Sequence, residues 1–252
     1  MKNKTNIGKQ ITIEISHTQL IVIFISSFLF YLVALILWKQ KIVDYNIVLI
    51  HNFIYENKMY LELVSLISHY GMAFIAALYA LFLFISLKKE GLKRDRSLYL
   101  FIIFSFFLST TGGDLLKEVI DKARPVIELS GQISRTTLSD TSSFPSGHAA
   151  KSMSLALPFV LMASRKSTIT QIVKVVVFLT ALLVCYSRIA LQAHFLSDVL
   201  AGIGTALFFI PIAVWITNSF YKKRKIDDRK LTLLTQRLVY IFIGLTVILC
   251  LI

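Results

Sequence analysis

Cysteine is scarce in this sequence, which has only two among its 252 residues. Both, Cys185 and Cys250, lie inside apolar runs, where a thiol behaves as a small buried hydrophobe, so we predict neither a disulfide nor a cysteine metal site. Carboxylates and histidines also show no clusters at the spacing of metal ligands. There are only four prolines, and neither a Pro/Gly/Ser-rich linker nor an internal repeat divides the chain. We therefore predict one domain over residues 1–252.

Charged residues are also few, at 16% of the sequence, whereas 56% of the residues are hydrophobic and the mean hydropathy is +0.72. Seven long apolar segments carry this excess, and a spanning helix needs roughly 17–25 such residues. The first six are long enough, and the last is short unless residues from Leu231 onward join it. The sequence thus predicts an all-α, polytopic transmembrane bundle. The segments run from Leu20 to Trp38, Leu63 to Leu87, Leu98 to Ile120, Gly147 to Ser164, Ile169 to Arg188, Phe195 to Thr217 and Leu238 to Ile252.

Acidic residues are outnumbered, at 14 against 27 Lys and Arg, which gives a net charge of +13. No basic face with interleaved aromatic residues lies outside the apolar segments, so we exclude a nucleic-acid partner. The Lys and Arg surplus lies mainly in the N-terminal tail and in the loops after the second, fourth and sixth segments. These regions lie on the same side of the membrane if successive segments cross it in alternating directions. Cytoplasmic loops of membrane proteins carry such a surplus of Lys and Arg. We therefore expect a cytoplasmic N-terminus.

Three patches hold most of the unusual polar residues. They are the stretches 117–125, 144–148 and 187–198, which lie at the end of the third segment, the start of the fourth and the junction of the fifth and sixth. With a cytoplasmic N-terminus, all four of these helix ends face outward. We expect the patches to converge on one rim of the bundle, and ionisable residues in membrane segments are usually functional.

The first patch contains two cations, Lys117 and Arg124, followed by Pro125. A spacing of seven is close to two helical turns, so both side chains can point the same way if the helix continues that far, with Pro125 ending it. Lys and Arg together suit a phosphate group. The alternative is a pair of snorkelling interfacial cations, with Lys117 paired to a nearby aspartate.

The second patch, Pro145-Ser146-Gly147-His148, opens an apolar helix. A helix N-terminus offers unpaired N–H groups to an anion, and the missing side chain of Gly147 allows a close approach. Ser146 adds a hydroxyl donor, and His148 can protonate a departing oxygen. The alternative is an ordinary helix cap beside an interfacial histidine.

The third patch pairs His194 with Asp198, four residues later, and Arg188 lies shortly before them. A carboxylate on the same helical face can hold one imidazole nitrogen as N–H and leave the other lone pair to attack. The alternative is a helix-capping salt bridge. It is improbable that three unrelated groups of polar residues would fall together on one membrane face. We therefore favour a shared functional site.

Together the three patches resemble the signature motifs of the type 2 phosphatidic acid phosphatase superfamily, over about residues 60–217. The resemblance implies a six-helix core. The last apolar segment lies outside the resemblance, and we expect it to form a further C-terminal helix that spans the membrane, lies in the interface or forms part of a hairpin. It implies a catalytic set in which His194 attacks phosphorus, Asp198 orients it and His148 protonates the leaving group. It also implies phosphate-binding roles for a second set, Lys117, Arg124, Ser146, Gly147 and Arg188. No metal or other cofactor is implied.

The implied function is a membrane lipid phosphatase that forms a phosphohistidine on a lipid phosphomonoester or diphosphate. The substrate classes are undecaprenyl diphosphate, phosphatidic acid, phosphatidylglycerol phosphate and lipid A phosphates. Two alternatives stay open: a lipid phosphotransferase with the same intermediate, and an anion or lipid transporter without chemistry. The expected location is the bacterial inner (cytoplasmic) membrane, among membrane lipids, with the active site on the periplasmic or extracellular face.

Overall fold

The computed structural model describes residues 13, 15–88, 96–132, 142–162 and 168–224, together with the single positions 233, 237, 240 and 241. The predicted all-α class is confirmed: within these ranges the chain forms helices and no strand, apart from one isolated bridge between Ala123 and Ser142. The helices are α1 (His17–Lys39), α2 (Lys41–Leu49), α3 (Asn52–Glu56), α4 (Lys58–Lys88), α5 (Arg96–Ile120), α6 (Pro125–Glu128), α7 (Gly147–Met162), α8 (Thr168–Ala190) and α9 (Leu196–Arg224).

Six of these helices are long, and each contains one of the first six predicted segments or most of it. Among the described residues α1, α4, α5, α8 and α9 are long and apolar enough to cross a membrane. The remaining long helix, α7, covers 16 residues. The predicted seventh segment, 238–252, lies outside the described residues apart from positions 240 and 241, so it stays a prediction.

Local sequence explains where α1 begins and ends. The Ser16 hydroxyl accepts a bond from Gln19 N, and the Gln19 side chain accepts one from Ser16 N, which satisfies donors that a helix start leaves unpaired. At the other end Gln40 departs from helical geometry, with φ −88° and ψ 63°, and α2 starts at the next residue. The chain therefore turns at the rim, so that two short helices lie between α1 and α4.

Helix α9 lies at the centre of the bundle, where it packs against α1, α5 and α7. Helix α7 also contacts α5 and α8, and α4 packs mainly against α8. Hydroxyl groups join the helices: Ser27 donates to Gly204 O at 2.8 Å, and Tyr79 donates to Leu155 O at 2.7 Å. Such bonds satisfy polar groups that lipid cannot, and they hold neighbouring helices in register.

Helices α9 and α7 approach each other closely at Gly202. A Cβ atom at this position would lie 2.6 Å from Ser146 O and 2.9 Å from the Ala149 Cβ. Both distances are shorter than non-bonded atoms allow, so only glycine lets α9 sit this close to the first turn of α7.

We predict that Gly202→Ala destabilises the protein. Overpacking a tight contact costs about 1–3 kcal/mol, which exceeds the gain of roughly 0.5–1 kcal/mol that alanine brings to a helix interior. Thermal denaturation in detergent measures the effect. The matched control is Gly113→Ala in α5, because a Cβ there meets nothing within 4 Å. Equal denaturation temperatures for the two variants would contradict the close approach.

Candidate active site

Backbone and side-chain hydrogen bonds join the three polar patches at one end of the bundle. Ser146 N donates to Asp198 O at 2.9 Å, which ties the start of α7 to the first turn of α9. The Arg124 guanidinium donates through NH1 to Ala193 O at 2.9 Å. Ser143 N donates to Lys122 O at 2.7 Å. Segments distant in sequence thus share one small volume at the rim.

His194 is the centre of this volume and is only 2% exposed. It lies between α8 and α9, where Ala193 N and His194 N both donate to Arg188 O, at 3.0 and 3.1 Å. The turn requires Gln192 to adopt a positive φ of 52°. The two ring nitrogens have different neighbours: Nε2 lies 3.4 Å from Arg124 NH1, and Nδ1 lies 3.3 Å from Ser143 Oγ.

Asp198 reaches His194 through a third residue. Its Oδ2 atom lies 3.7 Å from His194 Nδ1, and the same oxygen accepts bonds from Ser143 Oγ at 2.5 Å and from Phe195 N at 2.9 Å. The sequence predicted that His194 and Asp198 stack on one helical face, and this is wrong because α9 begins only at Leu196. His194 precedes the helix, and the Ser143 hydroxyl lies between the two side chains.

The contacts define the protonation state of the imidazole. Burial, together with the nearby Arg124 and Arg188 charges, lowers the pKa of His194 to about 3, so the ring is neutral near pH 7. Because Ser143 Oγ donates to Asp198, its lone pairs are available to accept from Nδ1–H. This assignment leaves the Nε2 lone pair facing Arg124, the arrangement of a nucleophile beside an anion site.

The start of α7 presents an accessible backbone and a buried hydroxyl beside His194. A Cβ at Gly147 would meet nothing within 4 Å, so the space in front of this backbone is open. Ser146 Oγ is buried, and no described residue gives it a hydrogen-bond partner. Arg188, which is 8% exposed, lies in the last turn of α8 and donates to Ser68 Oγ at 2.5 Å. His148 is half-buried and interacts electrostatically with Arg188 and His194.

The Lys117–Arg124 patch differs from its prediction. Helix α5 ends at Ile120, and Asp121 has a positive φ of 43°, so the two cations do not share a helical face. Arg124 is extended, with φ −80° and ψ 159°, and Pro125 starts α6 instead of ending α5. Lys117 stays half-buried in the last turn of α5, and its carbonyl oxygen accepts a bond from Ser142 Oγ at 3.1 Å.

The sequence patterns did not identify two residues that contact Asp198 in the site. Lys122 is 4% exposed and donates to Asp198 Oδ1 at 2.8 Å and to Ser197 Oγ at 2.7 Å. Ser143 bridges Asp198 and His194. Both lie inside or beside the polar patches, but nothing in a linear spacing indicates which of several Lys or Ser residues turns inward. Among the described residues, no three His, Cys, Asp or Glu side chains gather as metal ligands.

Comparisons with known proteins bear on the family and on the fold. The family model of the PAP2 superfamily matches residues 98–222. The chain also resembles the crystal structure of the first transmembrane PAP2 type phosphatidylglycerolphosphate phosphatase from Bacillus subtilis, with a TM-score of 0.55 and 24% sequence identity, over 80% of this chain and 96% of that one. No functionally curated protein matches the sequence. Residues 98–222 of the membrane bundle described here belong to the PAP2 superfamily.

Proposed function

We propose that this protein is a membrane phosphatase that hydrolyses a lipid phosphomonoester or diphosphate through a phosphohistidine on His194. One observation carries the proposal: the buried His194 imidazole has its Nδ1 beside Ser143 and Asp198 and its Nε2 beside Arg124. This geometry supports attack by Nε2 on an anion that binds at the Arg124 side. Membership of the PAP2 superfamily supports the same reaction class.

In the first step the Nε2 lone pair attacks phosphorus, and the bond from phosphorus to the lipid oxygen breaks. The proton for that leaving oxygen comes from His148. In the second step water attacks the phosphohistidine, gives a proton back to His148 and releases inorganic phosphate. Together the two steps return the enzyme to its starting state, and water is the one co-reactant that they consume.

The cradle for the phosphoryl oxygens combines Arg124 and Arg188 with the start of α7. The Gly147 N–H and the buried Ser146 hydroxyl supply fixed donors, and Lys117 supplies a further positive charge at the rim. Phosphoryl transfer depends mainly on such positioning and charge stabilisation. Cations and a helix N-terminus can supply what a metal ion supplies elsewhere, so we propose a metal-independent reaction.

The attacking ring gains positive charge as the Nε2–phosphorus bond forms. Nδ1–H then becomes a stronger donor towards Ser143, whose own proton is held by Asp198 at 2.5 Å. Asp198 therefore orients the neutral ring and stabilises the cationic one.

The substrate class follows from the site's position at the rim of a membrane bundle. A phosphate on a lipid head group reaches this depth while its acyl or prenyl chains stay in the bilayer. The candidates are phosphatidylglycerol phosphate, phosphatidic acid, undecaprenyl diphosphate and lipid A phosphates. The similarity to a phosphatidylglycerolphosphate phosphatase makes the first of these the substrate to assay first.

Phosphate release from these lipids by the purified protein in detergent tests the proposal. We expect His194→Ala to lower kcat by about 10⁴-fold or more, because a nucleophile acts as a unit with its partners. Acid-labile, alkali-stable radiolabel from a labelled substrate should bind to the parent protein and be absent from His194→Ala. The control is His17→Ala, at the exposed start of α1.

The alternatives give different results in this assay. Activity that survives in His194→Ala would refute the nucleophile, and label transfer to a second lipid without free phosphate would indicate a phosphotransferase. A transporter would release no phosphate at all. Activity should persist in excess chelator, and loss of activity that added Mg²⁺ restores would refute the metal-independent reaction.

We predict that Ser143→Ala lowers kcat by about 10- to 100-fold and leaves KM nearly unchanged, by analogy with the partners that orient metal-bound histidines, whose loss has effects of this size. The substrate contacts stay intact, whereas the bridge from Nδ1 to Asp198 is lost. Steady-state kinetics measures both constants. Ser154→Ala is the control, since its buried hydroxyl donates only within its own helix, to Lys151 O. An unchanged kcat would refute the bridging role.

The orientation is proposed from the charge distribution, with the site on the periplasmic or extracellular face of a bacterial inner membrane. Single cysteines at Glu56 and Thr18, both exposed and at opposite ends of the bundle, test it. A membrane-impermeant maleimide should label Glu56→Cys in intact cells and Thr18→Cys only after lysis. The unsubstituted chain gives the background of its own thiols. The reverse pattern would refute the orientation.

A further inference from the structure

The short helices α2 and α3 lie outside the residues that the family model matches, 98–222, yet they contact the candidate site directly. Their most unusual residue is Asp44, in the first turn of α2, which is only 2% exposed. A carboxylate at the rim of a membrane bundle has access to water unless the fold removes it, and burial of an ion is costly. The position of Asp44 therefore needs a reason.

Asp44 binds the first turn of α9. Its Oδ1 atom accepts a bond from Ser197 N at 3.1 Å, and its Oδ2 atom accepts one from the Ser197 hydroxyl. The same Oδ2 lies 3.5 Å from Lys122 Nζ. Ser197 is the neighbour of Asp198, so Asp44 holds the backbone that carries Asp198.

Lys122 links the two carboxylates. Its Nζ donates to Asp198 Oδ1 at 2.8 Å, while Asp198 Oδ2 is used by Ser143 and Phe195 N. Both oxygens of Asp198 are thereby fixed. The ammonium group lies 4.5–6.0 Å from the ring centroids of three aromatic residues, which replace water around the charge: Trp38, Phe144 and Phe195.

Helix α3 holds the loop that carries His194. Gln192 Nε2 donates to Asn52 Oδ1 at 2.6 Å, and the Tyr55 hydroxyl donates to Leu191 O at 2.7 Å. The same segment, α2–α3, thus contacts the loop before His194 and the helix turn after it. A displacement of this segment would move the imidazole and the carboxylate together.

We propose that Asp44 and Lys122 are positioning residues for the phosphoryl-transfer step, and that α2–α3 holds the nucleophile and its carboxylate in register. The inference rests on the proposed function. The Asp44 and Asp198 carboxylates and the Lys122 ammonium group form a cluster with a net negative charge. This cluster faces the His194 ring, which becomes cationic when Nε2 binds phosphorus. Asp44 therefore contributes to the reacting state while touching no substrate atom.

The charge count predicts distinct effects of removing each partner. Without Lys122, two buried carboxylates face each other and Asp198 is pushed from its position. Without the Asp44 charge, Lys122 neutralises Asp198, and the cationic ring loses stabilisation. Because the phosphoryl cradle does not change in either case, the loss should appear in kcat and not in KM.

Steady-state phosphate release from the full-length protein in detergent, with phosphatidylglycerol phosphate and phosphatidic acid as probes, tests this. We expect Asp44→Asn and Lys122→Met each to lower kcat by about 10- to 100-fold, with KM within about twofold of the parent. Lys122→Arg should recover most of the loss, since it keeps the positive charge. The double variant Asp44→Asn/Lys122→Met should lose less than the product of the two single losses, because the carboxylates no longer repel each other.

Matched controls are Glu62→Gln and Lys58→Met, an exposed ion pair of α4 at 3.8 Å. Asp44→Asn is isosteric and decides the question by itself if Lys122→Met does not fold. Full kcat in Asp44→Asn, or an equal rise of KM and fall of kcat/KM, would overturn the inference. If His194→Ala abolishes turnover in the same assay while Asp44→Asn is fully active, only this inference fails. If His194→Ala keeps its turnover, the proposed function itself fails.

Discussion

A carboxylate that is withdrawn from water must be paired, and Asp198, which has no exposed surface, shows how this protein meets that requirement. Its two oxygens bind Lys122 on one side and Ser143 with the Phe195 N–H on the other. Each partner comes from a different part of the chain. Satisfying this one group therefore brings together the end of α5, the approach to α7 and the start of α9, and His194 is positioned as a result.

Close helix packing makes the arrangement rigid. Gly202 lets α9 approach the first turn of α7 until backbone touches backbone, and Ser146 N donates to Asp198 O across the same contact. The start of α7 at Gly147 and the residue whose carboxylate lies behind His194 are thereby joined through one backbone hydrogen bond. Catalysis needs such a fixed geometry, because a small displacement of the nucleophile lowers the reaction rate.

Helices α2 and α3 shape the surroundings of the candidate site although they precede the residues that the family model matches. Residues 98–222 contain the polar patches and match the family, whereas α2 and α3 precede them. These helices cover the rim and remove water from Asp44 and Lys122, and removal of water strengthens every charge interaction in the cluster. The sequence predicted a core from about residue 60 onward, and it contains no signal that an earlier aspartate belongs to the site.

Hydropathy alone determined the helical class and the six long helices, because a spanning segment must be apolar over a fixed length whatever its neighbours are. The motif spacing likewise determined which residues would gather at one rim. Only the tertiary structure decided how they meet. Helix α5 stops at Ile120 and α9 starts at Leu196, so the helical spacing assumed for Lys117 with Arg124 and for His194 with Asp198 does not apply. The tertiary structure also decided that Lys122, Ser143 and Asp44 turn inward. The partner of a buried polar group depends on which distant segments pack around it and not on its neighbours in the chain.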